Sequence, residues 1–171
     1  MKTLAVILSG LVMFALAGCN ANAPKIGVLN VERAVDQSNQ GKAANAELHA
    51  LIKVRRDELK QKAKDIEALK KKLQKAPSSA KKANKETLTK ANADYQKLLN
   101  SSKLEIKKKR ARLRNQVLQN LQKVIDTIGK EENFQLILTT ANVAYMGKTI
   151  DITDQVIKEF NKSSGAKKAS G

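Results

Sequence analysis

Between Ile52 and Leu73 an apolar residue returns at every seventh position: Ile52, Leu59, Ile66 and Leu73. That interval is one seam of a heptad pattern, and Lys42 to Lys75 holds neither Pro nor Gly, so the stretch is predicted helical. The companion positions are weaker. Leu48 and Leu69 are apolar, but Arg55 and Lys62 stand between them. Two bare cations argue against a tight dimeric coiled coil and for a thin, weakly packed hairpin with a mostly solvated surface. At ~1.5 Å per residue this helix spans on the order of 50 Å. Ala76-Pro77-Ser78-Ser79 interrupts it. Pro77 disfavours helix at the residue before it, and Ser78 or Ser79 offers a cap for a second helix. A second stretch without Pro or Gly runs from Ala80 to Ile128. Its apolar stripe begins with Leu88, Ala91, Tyr95, Leu98 and Leu99 and resumes with Ile106, Leu113, Val117, Leu121, Val124 and Ile128. Gly129 reads as the helix stop. The return helix is the longer one, so its Val- and Ile-rich end is expected to pack into a body rather than against the first arm.

The flanks have a different rhythm. Lys25-Ile-Gly-Val-Leu-Asn-Val31 reads as a short strand, and Val31 to Asn39 as a turn into a brief helix. Phe134-Gln-Leu-Ile-Leu-Thr139 is β-prone, and Val143-Ala-Tyr145 is predicted as a further short strand. Met146-Gly147-Lys148 supplies a turn, and Thr149 to Ile152 is expected extended. Thr153 or Asp154 caps a last helix through Phe160, and 161–171, rich in Lys, Ser, Ala and Gly, is expected to be disordered. The first and last strands should pair and close one body. The expected fold is therefore α+β: a long helical hairpin over 41–129 projecting from a small β body built from 25–40 and 130–160. So few strands bury little surface, and oligomerisation is the usual remedy.

Composition sharpens this. Aromatic residues are 3% of the chain and Trp is absent, which fits long helices better than a compact globule. Charge is lopsided: Lys and Arg number 33 against 16 Asp and Glu, a net +17. Between Gly41 and Gly129 stand 24 basic and 9 acidic residues, an excess of 15. Such a field attracts polyanions: nucleic acid, anionic lipid, lipopolysaccharide or acidic protein surfaces.

The amino terminus bears on which of these is met. One early charge, Lys2, precedes a largely apolar run from Leu4 to Leu16, the anatomy of a secretory signal. The run is shorter than the ~20 residues a membrane span needs. It ends in Leu16-Ala-Gly-Cys19, which resembles the lipobox of bacterial lipoproteins, and Cys19 is the only cysteine. The resemblance implies a signal peptide at 1–18, cleavage before Cys19, acylation of Cys19 and a lipidated linker at 19–24. An ordinary signal peptide with an incidental cysteine is the alternative. Asn20 after the cysteine, rather than the Asp that retains enterobacterial lipoproteins at the inner membrane, points to the outer membrane, facing the periplasm. Export argues against nucleic acid as the physiological partner, and stability must come without disulfides.

Three segments together resemble the Skp/OmpH family of periplasmic chaperones. They are Lys25-Ile-Gly-Val-Leu-Asn-Val31, the charged hairpin, and Phe134-Gln-Leu-Ile-Leu-Thr-Thr-Ala-Asn-Val-Ala-Tyr145 followed by Asp151-Ile-Thr-Asp154 and Val156-Ile-Lys158. The resemblance covers 25–160, and the carboxy-terminal part is its specific portion. It implies a homotrimer whose strands form a shared β body, with Ile26, Val28, Ile137 and Val143 as candidates for the shared core. Three arms would surround a cavity that holds unfolded outer-membrane proteins without nucleotide or other cofactor. A lipobox departs from the soluble members and turns a diffusing chaperone into a tethered one.

Other motifs carry little chemistry. Gly147-Lys148-Thr149 looks like the end of a phosphate loop, but position 142 is Asn142 where that pattern needs Gly. His49, the only histidine, sits on a polar helix without metal-ligand spacing. Glu131-Glu132 is expected in a solvated connection, and no nucleophile–base–acid set can be assembled, so the chain is read as a non-enzyme. The densest basic run holds Lys107, Lys108, Lys109, Arg110, Arg112 and Arg114. It is either a solvated helix face or a field for acidic clients, lipopolysaccharide or anionic lipid. Two other functions stand beside the tethered holdase: a structural envelope lipoprotein and a polyanion-binding protein.

Overall fold

The computed structural model describes residues 24–147 and 149–168; the expected signal peptide at 1–18, Cys19, most of the expected linker, Lys148 and 169–171 lie outside them. At the centre of the body is β1 (Ile26–Leu29), flanked by β2 (Leu136–Thr139) and β3 (Ile150–Asp151) in the order β2-β1-β3. Both pairings are parallel, with Val28 opposite Leu138 on one side and Asp151 on the other. Gly27, Val28 and Leu29 are buried, as expected of a central parallel strand covered on both faces. Gly27 leaves little room for a side chain: a Cβ there would stand 3.0 Å from the Phe134 ring, which would have to give way.

Parallel neighbours need a long crossover, and here the crossover contains the whole arm. From β1 the chain enters α1 (Val31–Gln37), capped by Asn30, whose Oδ1 accepts the Arg33 N–H at 2.8 Å. Ser38 ends α1 and caps α2 (Asn39–Lys75), its Oγ accepting the Gly41 N–H at 3.1 Å. The bend is tight enough that a Cβ on Gly41 would lie 1.8 Å from the Val35 carbonyl oxygen. After Pro77 comes α3 (Ser78–Glu131), a single helix of 54 residues. Pro77 holds the cap position without a side-chain bond, so neither Ser78 nor Ser79 caps the helix; both lie inside its first turn.

The end of α3 differs from the expectation at Gly129. The helix passes through Gly129 and stops at Glu131, where Asn133 adopts φ 56°. Phe134 N–H then reaches the Gly129 carbonyl at 2.9 Å and Asn133 N–H the Lys130 carbonyl at 3.4 Å, the paired bonds of a Schellman stop with Asn in the left-handed position. Glu131 is thus the last helical residue rather than a loop residue.

One core joins these parts. Leu29, Ala34, Val117, Leu121, Val124, Ile128, Ile152, Val156 and Phe160 form one buried cluster, so the end of α3 does pack into the body. The carboxy-terminal region brings two corrections. Val143 to Tyr145 is not a strand: a 3-10 turn (Thr140–Asn142) closes with Val143 N–H on the Thr140 carbonyl, carrying the chain away from the sheet. And α4 (Thr153–Lys168) runs well past Phe160 into the part expected to be disordered. Asn161 explains part of that extension, since its side-chain oxygen accepts the Asn39 N–H at 2.7 Å and ties α4 to the start of α2.

Candidate functional site

The arm is the part of the chain with surface to spare. α2 has 37 residues, so it is about 55 Å long, and α3 runs antiparallel to it for its first two-thirds. The seam residues Ile52, Leu59 and Leu73 are half-buried, and only Ile66 is buried, at 7% exposure. From α3, Leu88, Ala91, Tyr95 and Leu98 face the seam half-buried, and Leu113 closes its lower end. The hairpin is thin, as expected.

Between Leu98 and Leu113 the stripe turns polar. Ser102 is 3% exposed with no partner for its hydroxyl. One turn on, Glu105 accepts from Arg55 Nε at 2.8 Å, and Arg55 also holds Glu58 at 2.8 Å. A further turn down, Lys109 pairs with Glu47. Hydrogen bonding to Arg55 holds the Glu105 carboxyl below its ordinary range, and the Lys109 ammonium does the same for Glu47. Arg55 is correspondingly harder to deprotonate. The arm is therefore clasped midway by ion pairs, not by leucines. Arg55 is no bare cation in the seam, whereas Lys62 is exposed. Beside the clasp, Val54 and Leu104 are 52% and 51% exposed, each one position before a partner in the Arg55–Glu105 pair.

The basic run does not form one patch. Lys108, Lys109 and Arg112 line a hollow with Glu47, Leu51 and Glu105 on one side of the hairpin. Arg110 and Arg114 line another groove, floored by Leu48, Leu113 and Val117 and walled by Glu32 and Asp36. Lys107 is exposed, and Lys109 is occupied by Glu47. The 3-4 spacing 95, 98, 102, 105, 109, 113 carries the stripe through polar residues, so following it through Ser102, Glu105 and Lys109 reveals the clasp that apolar counting passes over.

Of the candidates for a shared core, Ile26 and Ile137 are half-buried on β1 and β2, and Val143 is half-buried after the 3-10 turn. Val28, at 1% exposure, is buried within its own chain. Exposed apolar side chains stand instead on the two outer strands, Leu136 and Ile150 at 47% each, and in the connection between them, Met146 at 47% and Tyr145 at 86%. His49 is exposed on α2, and Gly147 stands in the bend before β3, not ahead of a helix.

A second polar network ties the sheet to its helices. Asp151 Oδ1 accepts both the N–H and the hydroxyl of Thr153, at 2.8 and 2.5 Å. The Thr153 hydroxyl in turn accepts the Asn30 N–H at 3.0 Å, and Arg33 pairs with Asp154. The helix start is thus held by Asp151, two residues ahead of Thr153 and three ahead of Asp154, the expected caps. Hydrogen bonds from Thr153, helped by the Arg33 charge, hold the Asp151 carboxyl below its ordinary range.

Residues 25–160 match the family model for outer membrane protein, OmpH-like. The chaperone protein Skp of Pectobacterium atrosepticum is 25% identical over 154 residues, spanning 88% of this chain and 93% of that one. Among solved structures, an OmpH-like protein from Caulobacter crescentus CB15, assigned as an outer membrane chaperone, superposes with a TM-score of 0.73. It is 22% identical and covers 82% of this chain and 86% of its own.

Proposed function

The chain belongs to the OmpH-like family, and from that premise we propose that it is an ATP-independent holdase for unfolded outer-membrane proteins, tethered in the periplasm by lipid on Cys19. The observation that carries this reading is that the family match spans both the body and the arm, 25–160. The arm has what a holdase needs. Its cations attract acidic chains from a distance, Val54 and Leu104 offer apolar contact, and its sparse seam lets it splay at little cost in buried area.

The working unit is a homotrimer. In one chain the sheet has three strands, and its two outer strands carry exposed Leu136 and Ile150. Unpaired strand edges with apolar side chains invite pairing with another chain. A shared body covers them, with Ile26, Ile137 and Val143 at its rim. The lipid sits at the outer membrane, as Asn20 suggests.

The test is suppression of aggregation. An unfolded outer-membrane β-barrel protein diluted from denaturant should stay soluble with the Cys19→Ser protein and without nucleotide. An unfolded barrel that aggregates as it does alone sinks the holdase reading and leaves a structural or polyanion-binding role. Sedimentation of the same protein should give about three chains, and a folded monomer at micromolar concentration rules out the shared body. In cells, Cys19→Ser should release the protein from membranes; unchanged fractionation means lipid is not the tether.

A further inference from the structure

We propose that the end of the body at Lys25 rests on the surface of the bilayer that anchors Cys19, with the arms directed away from that bilayer. The inference rests on the lipidated, trimeric reading above and adds an orientation to it. Five residues separate Cys19 from Lys25, so the chain between their Cα atoms reaches at most about 20 Å. Lys25 is fixed where α3 ends. Its ammonium donates to the Glu132 carbonyl and carboxylate, both at 3.0 Å, and lies 4.0 Å from the Phe134 ring centre. Its carbonyl accepts the Gln135 N–H at 3.0 Å. The other end of the 54-residue α3 is the arm tip, about 80 Å away. From Lys25 the parallel strands run towards the arm: Ala141, just beyond β2, lines the groove that holds Arg110 and Arg114. The tether therefore leaves the molecule at the end remote from the tip.

A single tether would let the body tip over and lay its cationic arm on an anionic membrane. Three tethers at equivalent points of a trimer prevent this, because tilting one arm down lifts another chain's anchor. Charge does not hold the base to the membrane, and once the three tethers set the pose it does not undo it. At the anchored end Lys25 is matched by Glu132 and Lys130 adjoins Glu131, whereas the excess of 15 positive charges lies along 41–129. Screening acts over about 8 Å at physiological salt, so arm tips tens of ångströms off the surface do not sense it. The basic arms stay available to clients arriving from the side opposite the anchor.

Acylation consumes Cys19, so an introduced cysteine is the only thiol of the mature protein. Lipidated full-length Gln135→Cys and Ser79→Cys proteins, labelled with a fluorophore, are reconstituted in vesicles whose headgroups carry a quencher. One set of vesicles is phosphatidylcholine and the other contains phosphatidylglycerol. The label at position 135 should be quenched and the label at 79 should not, in both. Lys130→Cys serves as the base probe if the Gln135 variant does not fold. Quenching at 79 as strong as at 135, in either lipid, overturns the proposal. Inserting about twenty Gly/Ser residues after Asn22 should weaken quenching at 135; undiminished quenching overturns the short tether as its cause. Vesicle binding that persists in Cys19→Ser instead removes the anchor reading, and sedimentation as a monomer removes the trimer, so each failure is told apart.

Discussion

Arg55 on α2 grips Glu105 on α3 at 2.8 Å across 50 positions of sequence, midway along a hairpin that has few other cross-links. With Lys109 and Glu47 a turn lower, this makes the stability of the arm depend on carboxylate charge. The body depends on it less, because nine buried side chains hold it.

Acid should therefore open the arm before the body. Glu47 and Glu105 titrate below their ordinary range when folded, so their contribution is complete above that range and is lost as pH falls through the lowered values. Protection factors of arm amides, taken against the intrinsic exchange rate at each pH, should fall on acidification while those of β1 and α4 hold. The Glu47→Gln, Glu105→Gln protein should show arm protection factors that no longer change with pH in that window. An unchanged acid response in this variant would mean that the clasp does not hold the arm.

Asp151 sets a separate acid limit on the body. Its lowered carboxyl accepts two bonds from Thr153, so that stabilisation is present above the usual aspartate range and lost as pH falls through the folded value. Asp151→Ala removes the group that holds the start of α4, at a cost of about 1 kcal/mol in a denaturant titration. Asp151→Asn should recover part of it, since an amide oxygen still accepts, and should remove the acid dependence. Equal stability of wild type and Asp151→Ala at neutral pH counts against this role.

Much of this was legible in the sequence. The hairpin, the break at Pro77, the Val- and Ile-rich base of α3 and the pairing of first and last strands follow from period and turn chemistry. What periodicity hides is polar residues used as packing. Glu105 and Lys109 occupy stripe positions because their partners lie on a helix some 50 to 60 residues away, Ser102 is buried there without a partner, and counting apolar residues breaks off at these positions. Val143 to Tyr145 looks like a strand by composition, but the sheet of one chain offers it no neighbour, and the 3-10 turn carries it off. Gly129 looks like a stop, yet Asn133 supplies the left-handed residue the Schellman turn needs.

Phe160 tests whether α4 belongs to the body. It is fully buried in one cluster with Leu121, Ile128 and Val156. Phe160→Ala should cost about 3–5 kcal/mol in denaturant unfolding of the Cys19→Ser protein, and Phe160→Leu much less. Truncation after Phe160 removes the Asn161 tie to Asn39 and should cost far less than Phe160→Ala. A mild Phe160→Ala would place α4 outside the cooperative unit.

The division of the basic run into two hollows turns one question about client capture into two. Lys107, Lys108, Arg110, Arg112 and Arg114 are exposed, while Lys109 is engaged by Glu47. If capture is steered by charge, reversing exposed cations should slow it at low salt, and the difference should shrink as salt shortens the Debye length to about 8 Å and below. Lys107→Glu, Lys108→Glu, Arg110→Glu changes the net charge by six units per chain and should slow stopped-flow capture of an acidic unfolded barrel protein without changing oligomeric state. Lys109→Gln is the contrasting variant. It removes one charge but frees Glu47, so it should raise arm exchange and leave the salt slope of capture nearly as it was. Two results would overturn this: a triple reversal that captures as fast as the parent at low salt, or a Lys109→Gln protein that loses the salt slope while the triple reversal keeps it. The first makes the exposed run a solvated helix face; the second places the steering charge on the clasp itself.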